Sequence, residues 1–161
     1  MKLKYLAIVA AVFSLSLLGY SVTAANTQAA ADGQDIVALA NADRAANGVP
    51  PLVVSQDLTL AANLKLDDMV QNAYFAHVSP QGVSPWYFIR RSGYVYQSAG
   101  ENLAMNFDTS AKVEAAWMGS PEHRANILNP AFTEVGIAER SVVYEGQRTN
   151  FVVEEFGQPA Q

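Results

Sequence analysis

The hydrophobic pattern of this chain changes period once, near residue 132, and that change restricts the folds open to it. Upstream, apolar residues recur at three- and four-residue steps: Ile36, Leu39 and Ala40; then Leu58, Ala61 or Ala62, Leu66, Met69 and Ala73; then Val113, Ala116 and Trp117. Such spacing lines one face of an α-helix. Downstream, residues 132–144 and 149–156 are rich in Val, Ile, Phe and Tyr, and Glu145-Gly146-Gln147 separates them as a turn. Two strands of an antiparallel hairpin are expected. Helices first and strands last predict an α+β fold, with helices packed on a small sheet.

Local signals set the helix boundaries. The first helix is expected over 35–47, stopped by Gly48 and by Val49-Pro50-Pro51-Leu52, which cannot continue it. A second runs over 56–72, with Lys65, Asp67 and Asp68 around the side opposite its apolar stripe. Ser84-Pro85 pairs a capping serine with proline at the first helical position, and Gly93 closes that short helix ahead of an extended Tyr94-Val95-Tyr96. A further helix covers 110–118. Ser120-Pro121 repeats the cap-then-proline start, so His123 falls at about the third position of another short helix.

The first residues carry a different message. Met1-Lys2-Leu3-Lys4 is basic, Tyr5 to Leu18 is apolar, and small residues follow at 22–25. That is the order of an export signal, and the apolar run is shorter than the ~20 residues a membrane span needs. The expected organisation is a signal peptide over 1–25, a flexible lead-in over 26–34, one domain over 35–157 and a tail over 158–161. Losing Lys2 and Lys4 with the signal takes the formal charge from −5 to −7. With no run of Lys or Arg, nucleic acid and anionic lipid surfaces are poor partners. The chain has no cysteine, so the domain is stabilised by packing alone, and no lipidated cysteine can anchor the mature form. A secreted protein is expected, extracellular or periplasmic.

The chemistry concentrates at the two histidines, each in a short polar segment: Phe75-Ala76-His77-Val78-Ser79-Pro80-Gln81-Gly82 and Ser120-Pro121-Glu122-His123-Arg124. Ala99-Gly100-Glu101-Asn102-Leu103 lies between them. His77, His123 and Glu101 could form a His₂Glu set of the kind that holds a catalytic divalent metal such as zinc, or a hydrogen-bonded His–Glu network in a polar cleft. A helix N-terminus disfavours imidazolium and so favours a neutral His123, with Glu122 pulling the other way. Ser79 and Ser120 are the nearest candidate nucleophiles, yet each precedes a proline, where turn formation and capping explain a serine. Asn102, Arg124, Asn126 and Arg44 read as fold-locking groups; an arginine fork suits several loop carbonyls at once, and Arg124 is also a candidate partner for Glu101. Most of the aromatics around Tyr74, Phe75, Trp86, Phe88 and Tyr94 are expected in the core, with one or two at a cleft rim.

Taken in order, Asn41-Ala42-Asp43-Arg44 with Gly48, the His77 segment, Gly93-Tyr94, Gly100-Glu101-Asn102-Leu103-Ala104, Trp117 through Leu128, Phe132 and Gly136 closely resemble the bacterial branch of the CAP superfamily. Its SCP domain is shared by cysteine-rich secretory proteins, venom antigen 5 and plant pathogenesis-related proteins. The resemblance covers about residues 35–156. It implies an α/β/α sandwich, with a small antiparallel sheet flanked by helices and a surface groove. In animal and plant members that groove holds two histidines and two glutamates able to bind a divalent metal. His77 matches the first family histidine and Glu101 the glutamate of the Gly-Glu-Asn motif. Ala131 stands where the late-strand histidine would be, and His123 matches instead the bacterial Ser-Pro-x-His-Arg motif.

Two functions follow. One is a secreted binding or interaction module whose cleft takes an unidentified small molecule, lipid, glycan or protein ligand. The other is a secreted metal-assisted hydrolase of peptide or cell-wall material, using a metal-bound water.

Overall fold

The computed structural model describes residues 23–160, with side chains from Asp35 onward. In chain order its elements are α1 (Thr23–Ala46), β1 (Val53–Val54), α2 (Gln56–Gln71), α3 (Pro85–Arg91), β2 (Tyr96–Met105), α4 (Ser110–Gly119), α5 (Pro121–Ile127), β3 (Glu134–Tyr144) and β4 (Gln147–Pro159). Residues 1–22 of the expected signal peptide lie outside the described residues. The stretch 26–34, expected as a lead-in, belongs to α1. Its run of alanines has high helix propensity, which carries the helix upstream of the amphipathic pattern.

The predicted hairpin is β3 and β4, joined by a two-residue turn in which Glu145 (φ 50°) and Gly146 (φ 78°) are both left-handed. That turn matches the twist of the flanking strands. The sheet order is β1-β3-β4-β2, with β1 parallel to β3 and the other pairs antiparallel. β1 and β2 are the strands the pattern did not disclose, and β2 is the longer. Its sequence, Tyr-Gln-Ser-Ala-Gly-Glu-Asn-Leu-Ala-Met, is poor in β-branched residues, and partner β4 rather than propensity makes it a strand.

β4 is covered on both sides. Val152 and Phe156 pack with Ile36, Val113, Trp117 and Ile127 from α1, α4 and α5. Phe151 and Val153 pack with Leu66, Met69 and Tyr74 from the α2 side. Successive strand residues point to opposite faces, so this split makes the molecule an α/β/α sandwich. Close approach of α2 requires Gly136, where an added Cβ would stand 2.0 Å from the backbone of Leu58.

The helical ends are tied by one buried fork. Arg44 donates to the carbonyl oxygens of Pro50 (2.7 Å), Ile127 (2.7 Å), Asn129 (3.1 Å) and Phe132 (2.8 Å). It thereby joins the end of α1 to the end of α5 and the loop that enters β3.

Candidate functional site

Lys65 sets the first half of the site. The helical pattern placed it on the side opposite the apolar stripe of α2, but its side chain is fully buried. Nζ donates to the carbonyl oxygens of Ala76 (2.7 Å) and His77 (2.8 Å) and to the Tyr74 hydroxyl (3.2 Å). Burial lowers the Lys65 pKa, while Glu101, Glu155 and Asp68 support the charge. The Tyr74 hydroxyl in turn donates to Asp68 at 2.5 Å. Burial and that bond raise the tyrosine pKa well above its ordinary value.

His77 therefore leaves the α2–α3 connection from an anchored backbone. Its Nδ1 lies 2.6 Å from Oε1 of Glu101, with 53% of the imidazole side chain exposed and only 1% of the glutamate's. This is a carboxylate-oriented histidine: the carboxylate favours the tautomer with hydrogen on Nδ1, which leaves Nε2 as the outward acceptor. Ser79 takes no part. It is buried, and its Oγ accepts from the backbone N–H of Gln81 (3.3 Å) and Val83 (3.1 Å), so it is a turn-forming serine rather than a cleft nucleophile.

The second half is the start of α5. Ser120 occupies the cap position, but its hydroxyl makes no cap bond and instead lies 2.8 Å from Nδ1 of His123 and 3.4 Å from Oε2 of Glu122. The His123 pKa is lowered, first by burial and then by nearby His77, with Glu122 opposing. The direction is the one expected for a ring near a helix start, and burial is the first cause of it. The His123 carbonyl accepts from Asn102 Nδ2 at 3.3 Å, and Asn102 also donates to Glu154 at 3.1 Å. Asn126 donates to Asn102 Oδ1 (2.9 Å) and to the Glu101 carbonyl (3.2 Å), which docks α5 on the edge of β2. Asn102 and Asn126 are thus fold-locking. Arg124 is exposed, so neither the locking role nor partnership with Glu101 falls to it; the guanidinium that bonds loop carbonyls is Arg44's.

Between these halves lies a groove of about 420 Å³ lined by residues including His77, Ser84, Trp86, Gly100, Glu101 and Asn126. Trp86 is 36% exposed at its rim, while Phe88 and Tyr94 are core residues. Gly100 sits where a Cβ would stand 2.9 Å from both Asn126 Oδ1 and the Phe132 ring, so this close packing of the groove floor requires glycine. Among the described residues no group of three or more His, Asp or Glu side chains is placed to hold a metal ion. Glu101 is engaged with Nδ1 of His77 and His123 with Ser120, so the groups are organised as hydrogen-bonded pairs.

Two buried acids behind the groove escaped the sequence reading. Glu154 and Glu155 on β4 are both fully buried, and both carboxyls are pushed well above the usual carboxylate range by burial. Their signal was available in Val152-Val153-Glu154-Glu155-Phe156: adjacent residues in a strand face opposite sides, so a strand buried on both faces buries both acids.

This fold and this His–Glu groove agree with sequence comparison. Residues 37–156 match the model of CAP, the cysteine-rich secretory protein family, and the chain belongs to that family. It is 39% identical over 117 residues to the uncharacterized protein YkwD of Bacillus subtilis, covering 73% of this chain and 46% of that protein. It is 34% identical over 105 residues to the uncharacterized membrane protein YlbC of the same organism, covering 65% of this chain and 30% of the relative. The chain thus spans less than half the length of these relatives. Among solved structures, an extracellular SCP-domain protein from Bacillus anthracis is 28% identical with a TM-score of 0.72, over 83% of this chain and 42% of that one. An outer surface protein of Borrelia burgdorferi shares the fold at 18% identity and a TM-score of 0.70, over 81% of this chain and 94% of that one.

Proposed function

We propose that this CAP domain is an exported binding module whose groove takes a small polar ligand with a flat apolar face, a glycan fragment being the chemistry that suits it best. The observation that carries this reading is the pairing of an outward His77 Nε2, oriented by Glu101, with the part-exposed indole of Trp86 on one groove. An indole face accepts the C–H face of a sugar ring, and a few convergent polar groups then fix its hydroxyls. The alternative, a metal-assisted hydrolase, would rest on a three-ligand set, and no such group is found among the described residues. Export is supported by the basic-then-apolar start of the sequence and by the extracellular description of the Bacillus anthracis protein. Among the described residues no helix is long and apolar enough to cross a membrane.

The test is an NMR titration of residues 26–161 with soluble chito-oligosaccharides and peptidoglycan fragments. Binding should move the Trp86 indole, His77 ring and Gly100 amide signals together, and Trp86→Ala should weaken affinity about tenfold, ~1.4 kcal/mol. Shifts confined to other surfaces, or none at millimolar ligand, would refute the reading.

A further inference from the structure

The short helix α3 buries Pro85, Phe88 and Ile89 and presents Trp86, Tyr87, Arg90 and Arg91 to solvent. Two arginines in the last turn of a helix meet the negative end of its dipole. That accounts for the charge but not for how the side chains are paired. Arg90 Nη1 donates to the Tyr96 hydroxyl at 3.3 Å and Arg91 Nη1 to the Tyr87 hydroxyl at 3.2 Å. Among the described residues neither guanidinium has a carboxylate at ion-pair distance, whereas the exposed Lys112 and Arg140 each pair with an aspartate. A neutral hydroxyl takes one N–H and leaves the charge and most of the donors free, in a chain whose formal charge is −5.

Arg90 is the one of the two that belongs to the groove. It follows Trp86 by four residues and so lies one helical turn along the same face, while Arg91 shares the neighbouring face with Tyr87. Tyr96 opens β2 and packs, together with Ala99, against the small cluster that includes Ile89 and Tyr94. Ala99 itself lines the groove, as does Trp86. Trp86, Arg90, Tyr96 and Ala99 therefore form one wall, running from the groove toward the connection between α3 and β2.

We propose that Arg90 is a specificity-determining residue of the groove: its guanidinium takes an oxyanion, a carboxylate or a phosphate, carried by the sugar that stacks on Trp86 or by the next unit. The ligand class is then an acidic glycan rather than a neutral one. An arginine fork meets two oxygens of either group with parallel N–H donors. Tyr96 holds that fork by accepting one of its hydrogens, and the tyrosine O–H is left to donate to the same anion. This inference rests on the groove reading above and narrows it.

The experiment is an NMR titration of wild type, Arg90→Gln, Arg90→Lys and Arg91→Gln with probes in matched pairs. One pair sets di-N-acetylchitobiose against the disaccharide of N-acetylglucosamine and N-acetylmuramic acid, which adds a carboxylate. The other sets N-acetylglucosamine against its phosphate monoester. At least one acidic probe should bind wild type about tenfold more tightly than its neutral partner, the gain expected of a charge-assisted contact, and the pair that shows it identifies the anion. Arg90→Gln should bring that ratio to within about twofold of unity, Arg90→Lys should keep part of it and Arg91→Gln all of it. Added salt should reduce it in wild type. Equal affinity of wild type for acidic and neutral probes, or equal losses in Arg90→Gln and Arg91→Gln, would overturn the proposal. Neutral sugars that still moved the Trp86 and His77 signals would then leave the groove reading standing. If no sugar of either kind moved those signals, the groove reading would fall and this inference with it.

Discussion

Nζ of Lys65, a side chain with no solvent exposure, donates to the carbonyl oxygen of His77 at 2.8 Å, so a buried cation on α2 holds the backbone of the groove's exposed imidazole. Replacing it by methionine keeps the aliphatic stem and removes the charge. The two carbonyls then lose their donor and Glu101 and Glu155 lose their nearest cation. Breaking a buried, charge-compensated cluster in this way costs about 3 kcal/mol or more. Urea denaturation should show Lys65→Met less stable by that amount, and hydrogen exchange should rise at residues 76–78. A variant within ~1 kcal/mol of wild type would mean that the ammonium is not needed there.

Arg44 and Arg124 make opposite predictions although both sit in conspicuous motifs. The Arg44 fork satisfies four carbonyl oxygens, and lysine cannot reproduce its planar, multiply donating geometry. Leaving even two buried carbonyls unpaired costs ~1–3 kcal/mol each, so Arg44→Lys should lose roughly 3 kcal/mol in chemical denaturation. Arg124 is exposed, and Arg124→Ala should fall within about ±0.5 kcal/mol. Comparable losses for the two would show that the buried fork is not what ties α1 to α5.

Hydrophobic period and capping chemistry disclosed α2 through α5 and the hairpin because each is encoded locally. Ser84-Pro85 and Ser120-Pro121 do start helices, and His123 is the third residue of α5. β2 was not legible, since its strand state comes from pairing with β4, about fifty positions away in sequence. The His77–Glu101 contact was legible as a pairing of residue types but not as a distance. The burial of Lys65 was hidden for another reason: a helical pattern shows which face is apolar, not that a polar residue at its margin will find three acceptors supplied by the next loop. The resemblance named His77 and Glu101 as members of one groove, and the structure brings their side chains to 2.6 Å, a distance that only tertiary packing fixes.

His123 should titrate below the ordinary histidine range, and two variants separate the causes. Burial is the largest effect, the nearby His77 adds to it and Glu122 opposes it. An NMR titration of the ring should therefore find the midpoint raised in His77→Ala and lowered further in Glu122→Gln. Both shifts should be smaller than the displacement of wild type from 6.5, because neither variant exposes the ring. A wild-type midpoint above 6.5 would contradict a neutral His123 at neutral pH.

Stability should decline from mildly acidic to alkaline pH, the reverse of a protein held together by salt-bridged carboxylates. Glu114 on α4 is buried, and burial followed by Asp43 of α1 pushes its carboxyl up to about 8 from 4.5. Glu154 on β4 faces the same group and is displaced in the same direction. An acid whose folded pKa lies above its unfolded one binds more protons in the native state between those two values. The slope of unfolding free energy with pH is then negative across that window, here from about 4.5 to about 8. Below pH 4.5 and well above 8, Glu114 adds no slope. His123 acts in the opposite sense, because a depressed histidine pKa lowers stability as pH falls below 6.5, so it offsets part of this slope on the acid side of neutrality. Glu114→Gln keeps the shape and a hydrogen-bond donor toward Asp43 but cannot ionise. It should flatten the decline and raise the melting temperature at pH 9 by roughly 3 °C or more, ~1 kcal/mol for a domain of this size. Thermal melts of wild type and Glu114→Gln from about pH 5 to about pH 9 check this, and parallel curves for the two proteins would show that Glu114 is already ionised in the native state.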